Sequence, residues 1–476
     1  MSNHIIKIKK HEASFRFGKN INKKLLLADN FLADHPNLLF WTERNESKKG
    51  LFYAYREGVY LPISNLEVEE ILANYEPADP KILMPSSISD SQLQETMRYI
   101  KRKRFFYRDV FNQENIINFK NGFLDIVTGE LLPHSPEIVS TVQLPYSYTK
   151  DDTCPLFIKT INGIFEKDYD KVNILQEFMG YCLTKSTKYE KALFMIGAAQ
   201  SGKSTIIETI QSMLGEDNVS NISLPDLGNP SFAGGLIDKY ANLVSEIPKN
   251  VRNYEDQLES IISGERLTIN TKFVPTYTAR PFCKLIFAAN DMPRISDTSD
   301  AIFRRMLLLE FDTKIEDSKV DVDLKRKLKN EYSGVFNWAF EGLQRLNENK
   351  KFTKSRNMTR RIKQLKIKNN TTLYFLEENY ITDNKNENFV YISEVYREYV
   401  SFCKDIGARP LYINNFSEEV RKIYVDDIVR GRKYRGNRQE QVLYGIRKIA
   451  VGDKVHTEED DLTNIISNAE EILWED

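Results

Sequence analysis

The stretch 197–205, GAAQSGKST, carries residue types that can hold phosphate. Its spacing is G-x-x-x-x-G-K-S, and the apolar run ALFMI before it and the helical pattern TIIETIQSML after it supply the expected strand and helix. Glycines let backbone N–H groups turn toward phosphate, and the helix N-terminus adds positive potential. A plain strand-to-helix turn fits these flanks less well. The sequence predicts that ATP phosphates bind Gly197, Ala198, Ala199, Gln200, Ser201, Gly202, Lys203, Ser204 and Thr205, with Mg²⁺ on Ser204.

Two polar residues end later apolar runs. Glu246 ends YANLVSE, where its carboxylate is expected to orient water toward the γ-phosphate and to share the Mg²⁺ site. Asn290 ends CKLIFAAN, and an amide there offers both a donor and an acceptor. The alternative for Glu246 is a glutamate that only faces solvent.

An arginine pair precedes the apolar run MLLLEF. A positioned arginine stabilises the charge that develops in phosphoryl transfer, so Arg304 and Arg305 are candidate catalytic residues. Two surface ion pairs are the alternative.

The order of these segments, with SGERLTINTKFVPTYTARPF between them, resembles the superfamily-3 helicases, in the branch of poxvirus and phage or plasmid helicase-primases. It is also similar to replication initiators of staphylococcal mobile elements. The resemblance implies a hexameric AAA+ ring that hydrolyses ATP and moves 3′ to 5′ along DNA. In it, residues 197–205 are the Walker A motif, Glu246 the Walker B acid and Asn290 sensor 1. Either Arg305 or Arg304 is the finger that reaches a neighbour's nucleotide.

The same resemblance implies a pore hairpin between Gly264 and Thr278, with Lys272 and Phe273 contacting single-stranded DNA; an ordinary surface hairpin is the alternative. Two features depart from the family. Ser245 stands where many relatives have a second acid, and the N-terminal part lacks the carboxylate cluster, companion histidine or zinc module that primer synthesis needs.

Patterning along the chain predicts a multidomain α/β protein. A hairpin at 50–63, a helix after it and strand pieces around turns at 117–136 indicate an N-terminal α+β domain over 1–145 of unknown role. YSYTKDDTCP is typical of a linker. Alternating strand and helix runs indicate a central P-loop domain with a parallel sheet and a leading helical collar over 146–350. A basic linker at 351–370, a domain at 371–455 and an acidic tail at 456–476 complete the prediction.

The segment 351–450, which spans the linker and most of the domain at 371–455, is basic. Residues 351–450 contain 21 Lys and Arg against 12 Asp and Glu. Helices followed by strands around RGNRQ suit a winged helix, in which a third helix enters the major groove and a basic hairpin lies along the backbone. The alternative is a basic domain that only packs on the ring. The candidate DNA contacts are Asn415, Ser417, Arg421 and Lys422 on the helix, and Arg432, Lys433, Arg435 and Arg438 on the wing.

Composition limits the function classes. The net charge of −1 restricts nucleic-acid contacts to local basic patches, and four scattered cysteines form no zinc ribbon or disulfide framework. No run of about 18 apolar residues predicts a membrane span. We therefore expect a cytoplasmic homo-oligomer, a hexamer by resemblance, that binds single-stranded DNA in its pore and origin duplex at its C-terminal domain. Host replication proteins are possible further partners. A nucleotide-controlled DNA-binding switch is the alternative function. A small-molecule P-loop kinase is disfavoured, because such enzymes need an acceptor pocket and a lid, whereas this chain offers paired arginines placed for a neighbouring subunit.

Overall fold

The computed structural model describes residues 23–41, 50–77, 89–106, 112–247, 254–270, 276–292, 301–316, 318, 321, 323–382, 388–424 and 428–449. The chain divides into two compact units, residues 1–296 with 301–359 and residues 360–476 with 297–300. Lys272, Phe273 and the acidic tail at 456–476 lie outside the described residues. Within the described ranges, no helix is both long and apolar enough to cross a membrane.

The first unit begins with helices packed on a small mixed sheet. Its elements are α1 (Lys23–Asp34), β1 (Leu38–Trp41), β2 (Leu51–Arg56), β3 (Val59–Ile63), α2 (Asn65–Ala73), α3 (Asp90–Arg104) and β4 (Phe105–Phe106). The strand order is β3-β2-β1-β4, with only β1 and β4 parallel. The hairpin predicted at 50–63 is confirmed as β2 and β3, and the helix after it as α3.

A second, three-stranded sheet leads into two helices. These elements are β5 (Ile116–Phe119), β6 (Gly122–Asp125), β7 (Leu131–Leu132), α4 (Pro155–Ile164) and α5 (Tyr169–Cys182). The predicted linker at 146–155 is packed against the unit: the Asn337 amide donates to the carbonyls of Thr149 and Asp152, and Cys154 is buried. The backbone carbonyls of this stretch thus accept hydrogen bonds from a helix that comes much later in the chain.

The centre of the first unit is a five-stranded sheet, which confirms the predicted parallel α/β core. Its order is β14-β8-β13-β10-β9 and every pairing is parallel. Because such strands are buried on both faces, they appear in the sequence as apolar runs. The elements are β8 (Ala192–Gly197), α6 (Lys203–Leu214), β9 (Val219–Ser220), α7 (Pro230–Ala233), β10 (Ala241–Val244), α8 (Glu255–Ile262), β11 (Leu267–Ile269), β12 (Tyr277–Ala279), β13 (Lys284–Ala289), α9 (Ala301–Arg305), β14 (Met306–Phe311), α10 (Leu324–Leu328) and α11 (Tyr332–Asn349).

Helix α11 packs along α5, and a buried carboxylate of α5 joins the two helices. Glu177 of α5 is fully buried; its carboxylate accepts from Arg345 Nε at 2.8 Å and from the backbone N–H of Thr353 at 2.7 Å. A buried carboxylate needs such partners, because an unpaired one is costly away from water. The stretch 351–370, predicted as a linker, contains α12 (Arg356–Asn369).

In its described residues, the second unit contains most of α12, three further helices and two small sheets. Its elements are α13 (Thr371–Asn379), β15 (Tyr380–Thr382), β16 (Phe389–Tyr391), α14 (Ile392–Asp405), α15 (Ile413–Ile423), β17 (Val429–Arg435), β18 (Arg438–Tyr444) and β19 (Ile446–Lys448). The predicted helices and the hairpin around RGNRQ are present, and the short strands β15, β16 and β19 were not predicted. Phe375, Tyr399 and Phe416 lie at the centre of its core.

Candidate nucleotide and nucleic-acid sites

The 197–205 loop joins β8 to α6 with a backbone that only certain residues allow. Gln200 and Gly202 have φ of 60° and 96°, a conformation that glycine adopts without a steric penalty. A Cβ on Gly202 would lie 2.6 Å from Ile164 Cδ1, and one on Gly197 would collide with the Phe311 carbonyl oxygen of β14. Gly197 is therefore required by its close packing against β14, and Gly202 by the positive φ of the turn.

Lys203, the first residue of α6, bends its side chain back into this loop. Its amine donates to the carbonyls of Gly197 and Ala198, the latter at 2.7 Å, and lies 3.3 Å from Ser201 Oγ. Burial lowers the pKa of Lys203 below its ordinary value. The loop thus holds a cation beside a helix N-terminus, where the free N–H groups of the first turn also favour an anion.

The rest of the loop is partly exposed. Ala198, Ala199, Gln200 and Ser204 are exposed, whereas Ser201 is buried and donates to the Ala198 carbonyl at 2.8 Å. The Gln200 carbonyl accepts from the N–H of Ile315 at 2.8 Å, which fixes the loop to the chain beyond β14. Thr205 follows Ser204 in the first turn of α6.

Glu246 and Asn290 lie at the same edge of the sheet as this loop. The register pairs Ala289 with Ile196, so Asn290 follows β13 at the level where β8 enters the loop. Val244 pairs with Phe287, and Glu246 lies two residues past it. Both side chains are exposed. β13 lies between β10, which precedes Glu246, and β8, which leads into the 197–205 loop. The Asn290 amide therefore lies between the Glu246 carboxylate and that loop.

The donor set at this edge fits Mg²⁺. A serine hydroxyl and a single carboxylate are what magnesium takes when substrate phosphates and water complete its shell. Within the described residues, no group of three or more His, Cys, Asp or Glu side chains could hold a metal by itself. Ser204 and Glu246 would therefore hold Mg²⁺ only together with a nucleotide.

The two arginines lie at the opposite edge. Met306, which follows them, pairs with Ala192, whereas Phe311 pairs with Gly197. β8 has 6 residues, so about 17 Å separates the two edges. An arginine side chain cannot cover that distance, and neither residue reaches the 197–205 loop of its own chain.

Their surroundings distinguish the two arginines. The Arg305 guanidinium is 20% exposed and lies 3.4 Å from Glu259 and 3.5 Å from Glu190, with Ser263 Oγ at 3.2 Å. Arg304 is exposed, and no side-chain partner for it occurs in the described part of the chain. Its carbonyl accepts from the Lys191 amine. Sequence alone does not show which of the two arginines is exposed, because the partners of Arg305 come from remote segments.

A hairpin is present where the pore hairpin was predicted. β11 and β12 pair from Leu267 with Ala279 to Ile269 with Tyr277, and residues 271–275, which include Lys272 and Phe273, are outside the described part. Tyr277 packs edge-on against Trp41 of β1, with ring centroids 5.0 Å apart. No sequence pattern indicates this contact between the N-terminal sheet and the hairpin.

In the second unit, α15 places its candidate residues outward. Phe416 and Val420 are buried, whereas Asn415, Arg421 and Lys422 are exposed. The latter two pair with Glu418 and Glu419 of the same helix at 3.7 and 3.5 Å. Such exposed pairs contribute under about 1 kcal/mol and are readily exchanged for phosphate. Ser417 is half-buried, and its carbonyl accepts from Arg430.

The β17–β18 hairpin turns at Gly436, with φ of 60°, and separates its cations by face. Lys433 lies 3.6 Å from the centroid of the Phe389 ring, and Arg435 forms an ion pair with Glu394 at 2.7 Å and stacks on Tyr391. Arg432 is on the other face with Tyr434, and both are exposed. Arg438 is exposed opposite Arg435. Arg430 and Tyr434 were not among the predicted contacts, although strand alternation places them beside Arg432.

Two family models match parts of the chain. One described as "D5 N terminal like" matches residues 41–166. The other, described as "Family of unknown function (DUF5906)", matches residues 195–305, from β8 to the arginine pair.

Similar proteins are distant. "Putative helicase L207/L206" of Acanthamoeba polyphaga mimivirus is 21% identical over 235 residues, 47% of this chain and 24% of that protein. "Putative helicase 184R" of Invertebrate iridescent virus 6 is 23% identical over 240 residues, 46% of this chain and 24% of that protein. The chain thus spans about a quarter of the length of these viral relatives.

Solved structures share the fold. An apo structure of the NrS-1 C terminal region has a TM-score of 0.54 and 12% identity, covering 89% of this chain and 100% of that one. A second apo structure of that region has a TM-score of 0.51 and 14% identity over 90% of this chain and 100% of that one. The chain therefore contains a D5 N terminal like region and a DUF5906 region, has an α/β fold, and is distantly similar to viral proteins named as putative helicases.

Proposed function

We propose that this chain is an ATP-dependent DNA helicase of the superfamily-3 AAA+ type, and the replication initiator of a mobile element or phage. The observation that carries the proposal is the division of the candidate residues between two edges of one sheet. The loop, Glu246 and Asn290 are at one edge, and Arg304 is about 17 Å away at the other. A site divided in this way is completed when a second copy supplies the arginine.

At the loop edge, the chain's own residues bind and orient the nucleotide. The Lys203 amine neutralises phosphate charge, and the N–H groups of the first turn of α6 bind phosphate oxygens. Ser204 and Glu246 would hold Mg²⁺, which would supply charge neutralisation at those phosphates. Glu246 orients the attacking water, and the Asn290 amide hydrogen-bonds to that water and to a γ-phosphate oxygen.

Arg304, rather than Arg305, is the finger in this proposal. It is exposed, whereas Arg305 is held by two carboxylates and a serine of its own chain. Copies arranged in a closed ring, a hexamer by family resemblance, give every nucleotide one such arginine. The β11–β12 hairpin, with Lys272 and Phe273, contacts single-stranded DNA in the pore, and movement is 3′ to 5′.

The second unit binds the origin duplex as a winged helix. α15 presents Asn415, Arg421 and Lys422 to the major groove, and the exposed face of the β17–β18 hairpin contacts the backbone through Arg432. Lys433 and Arg435 act inside the unit, because aromatic rings and Glu394 engage them.

The test is ATP-dependent unwinding of a forked duplex at a stated salt concentration, because phosphate-driven binding depends steeply on salt. The wild-type chain is expected to separate the strands, and Lys203→Ala is expected to lose hydrolysis and unwinding together. Normal unwinding by Lys203→Ala would sink the proposal. Hydrolysis without strand separation by the wild type would instead favour the DNA-binding switch.

A further inference from the structure

Arg305 connects the segment that bears Arg304 to the segment that leads into the β11–β12 hairpin. From this geometry we infer that Arg305 is a positioning residue, which couples nucleotide sensing at Arg304 to movement of the hairpin. The inference rests on the proposed function, since it concerns how hydrolysis is converted into strand separation.

The first observation is the set of groups around the Arg305 guanidinium. Its Nη1 donates to the Ala301 carbonyl of α9 at 3.1 Å and lies 3.4 Å from Glu259 of α8. Its Nη2 donates to Ser263 Oγ, just past α8, at 3.2 Å. One side chain thus bridges α9 to the last turn of α8. Because the guanidinium is only 20% exposed, these charge-assisted contacts are shielded from solvent more than surface pairs are.

The second observation is the short connection from α8 to the hairpin. The N–H of Gly264 donates to the Ile261 carbonyl at 3.1 Å, and the N–H of Glu265 to the Ser260 carbonyl at 2.9 Å. Gly264 has φ of 66°, so the helix ends in a closed, glycine-dependent cap. β11 begins at Leu267. A displacement of the end of α8 is therefore passed to β11 with little slack.

The third observation is that both arginines are held from the same loop before β8. Glu190 lies 3.5 Å from Arg305, and the neighbouring Lys191 donates to the carbonyl of Arg304. The loop before β8, α9 and the end of α8 are thus connected to one another. They lie at the edge of the sheet opposite the 197–205 loop. A force on Arg304 from a neighbour's nucleotide has a direct mechanical route to the hairpin.

The test separates coupling from hydrolysis. Glu259→Gln and Ser263→Ala remove the α8 side of the link and leave both arginines in place. We expect each variant to hydrolyse ATP at the wild-type rate without DNA, while the number of base pairs separated per ATP falls about tenfold. Arg305→Met is expected to lower that ratio to the same extent, and Arg305→Lys to restore part of it.

A coupling test between the two side chains makes the inference sharper. Arg305→Met combined with Glu259→Gln is expected to be no worse than Arg305→Met alone, because both changes break the same link. An unchanged ratio of unwinding to hydrolysis in Glu259→Gln and Ser263→Ala overturns the inference. So does a loss of hydrolysis in Arg305→Met as large as that in Arg304→Ala, which would make Arg305 the finger. Failure of the wild-type chain to unwind DNA would refute the proposed function instead.

Discussion

The parallel sheet of the first unit and the β17–β18 hairpin of the second carry their candidate residues in opposite ways. In the sheet, both faces are buried, and the candidate residues lie past the strand ends: the 197–205 loop, Glu246 and Asn290 at one edge, Arg304 at the other. In the hairpin, the strand faces themselves carry the cations, and the packing of one face decides which are available. In the sheet, the position of a residue along its strand decides whether its side chain is available. In the hairpin, the face of the strand on which the residue lies decides it.

The largest effect is expected at the far edge of the sheet. Arg304→Ala should lower ATP hydrolysis by about 10³-fold or more, because a positioned arginine contributes about 10³ to 10⁵ in phosphoryl transfer. Mixing Arg304→Ala with Lys203→Ala should recover activity, since the intact loop of one chain then meets the intact arginine of the other. The measurement is steady-state hydrolysis as a function of mixing ratio.

The mixture also provides the decisive control. Each variant assayed alone reports the loss, and a mixture of each with wild type reports subunit exchange. If exchange occurs and the two variants together remain inactive, the division of the site between two copies is wrong.

A smaller effect is expected from the addition of one methyl group at Gly197, where β8 enters the 197–205 loop. Gly197→Ala places a Cβ against the Phe311 carbonyl oxygen of β14, so the end of β8 must move. Overpacking of this kind costs about 1 to 3 kcal/mol, which corresponds to a roughly 5- to 150-fold weaker binding of nucleotide if all of the strain falls on the loop. Titration with a fluorescent ATP analogue measures the affinity.

The matched control for that methyl group is Gly163→Ala. A Cβ at Gly163 in α4 has nothing within 4 Å, so the same chemical change occurs without a collision. Equal affinities in the two variants would show that the close approach of β8 to β14 does not shape the loop.

The division of the hairpin's cations by face is tested by replacing two neighbouring residues, Arg432 and Lys433. Arg432→Ala should weaken duplex binding severalfold and reduce the salt dependence by about one phosphate contact. Lys433→Ala should leave the salt dependence unchanged, because Lys433 lies over the Phe389 and Tyr444 rings at 3.6 and 5.6 Å. Affinity measured across a salt series distinguishes them, and equal slopes for the two variants would contradict the division by face.

The same contrast explains how far the sequence could predict the molecule. Buried parallel strands are apolar runs, so the polar residue that ends each run, as at Glu246 and Asn290, marks the edge of the sheet in the sequence itself. The arginine pair could not be divided in this way, because Glu190 and Glu259, which engage Arg305, come from elements remote in sequence.

The hairpin was less accessible to sequence analysis. Its strands and turn were predictable from composition, and alternation separates Arg432 from Lys433. Which face is covered depends on β16, a strand of 3 residues whose Phe389 and Tyr391 pack against the hairpin. So short a strand leaves almost no periodic signal. The contact between Trp41 and Tyr277 was equally hidden, because it joins two distant aromatic residues.

The smallest expected effect concerns a polar group inside the sheet, at a strand start where burial requires compensating partners. Lys284 begins β13 and is 2% exposed; its amine donates to the carbonyls of Thr184 and Phe282, both at 2.7 Å, and lies over the Tyr181 ring. Burial lowers the pKa of Lys284 from 10.5 to about 8. Between these two values the unfolded chain binds a proton that the folded chain has lost, so the free energy of unfolding rises with pH. Below about pH 8 both states are protonated, and the folded state bears the whole desolvation cost.

Lys284→Met removes this titration while filling a similar volume. The melting temperature of the wild type relative to Lys284→Met is therefore expected to rise by about 2 to 4 °C between about pH 7.5 and 9.5. Differential scanning calorimetry of both proteins across that range measures the difference. Lysines that do not interact with Lys284 cancel, whereas the buried Lys185, whose pKa is lowered by burial and also by Lys284, contributes to the difference. If the melting temperatures of the two proteins changed with pH in parallel, the Lys284 amine would titrate alike in the folded and the unfolded chain. Burial at the start of β13 would then not disfavour the charged amine.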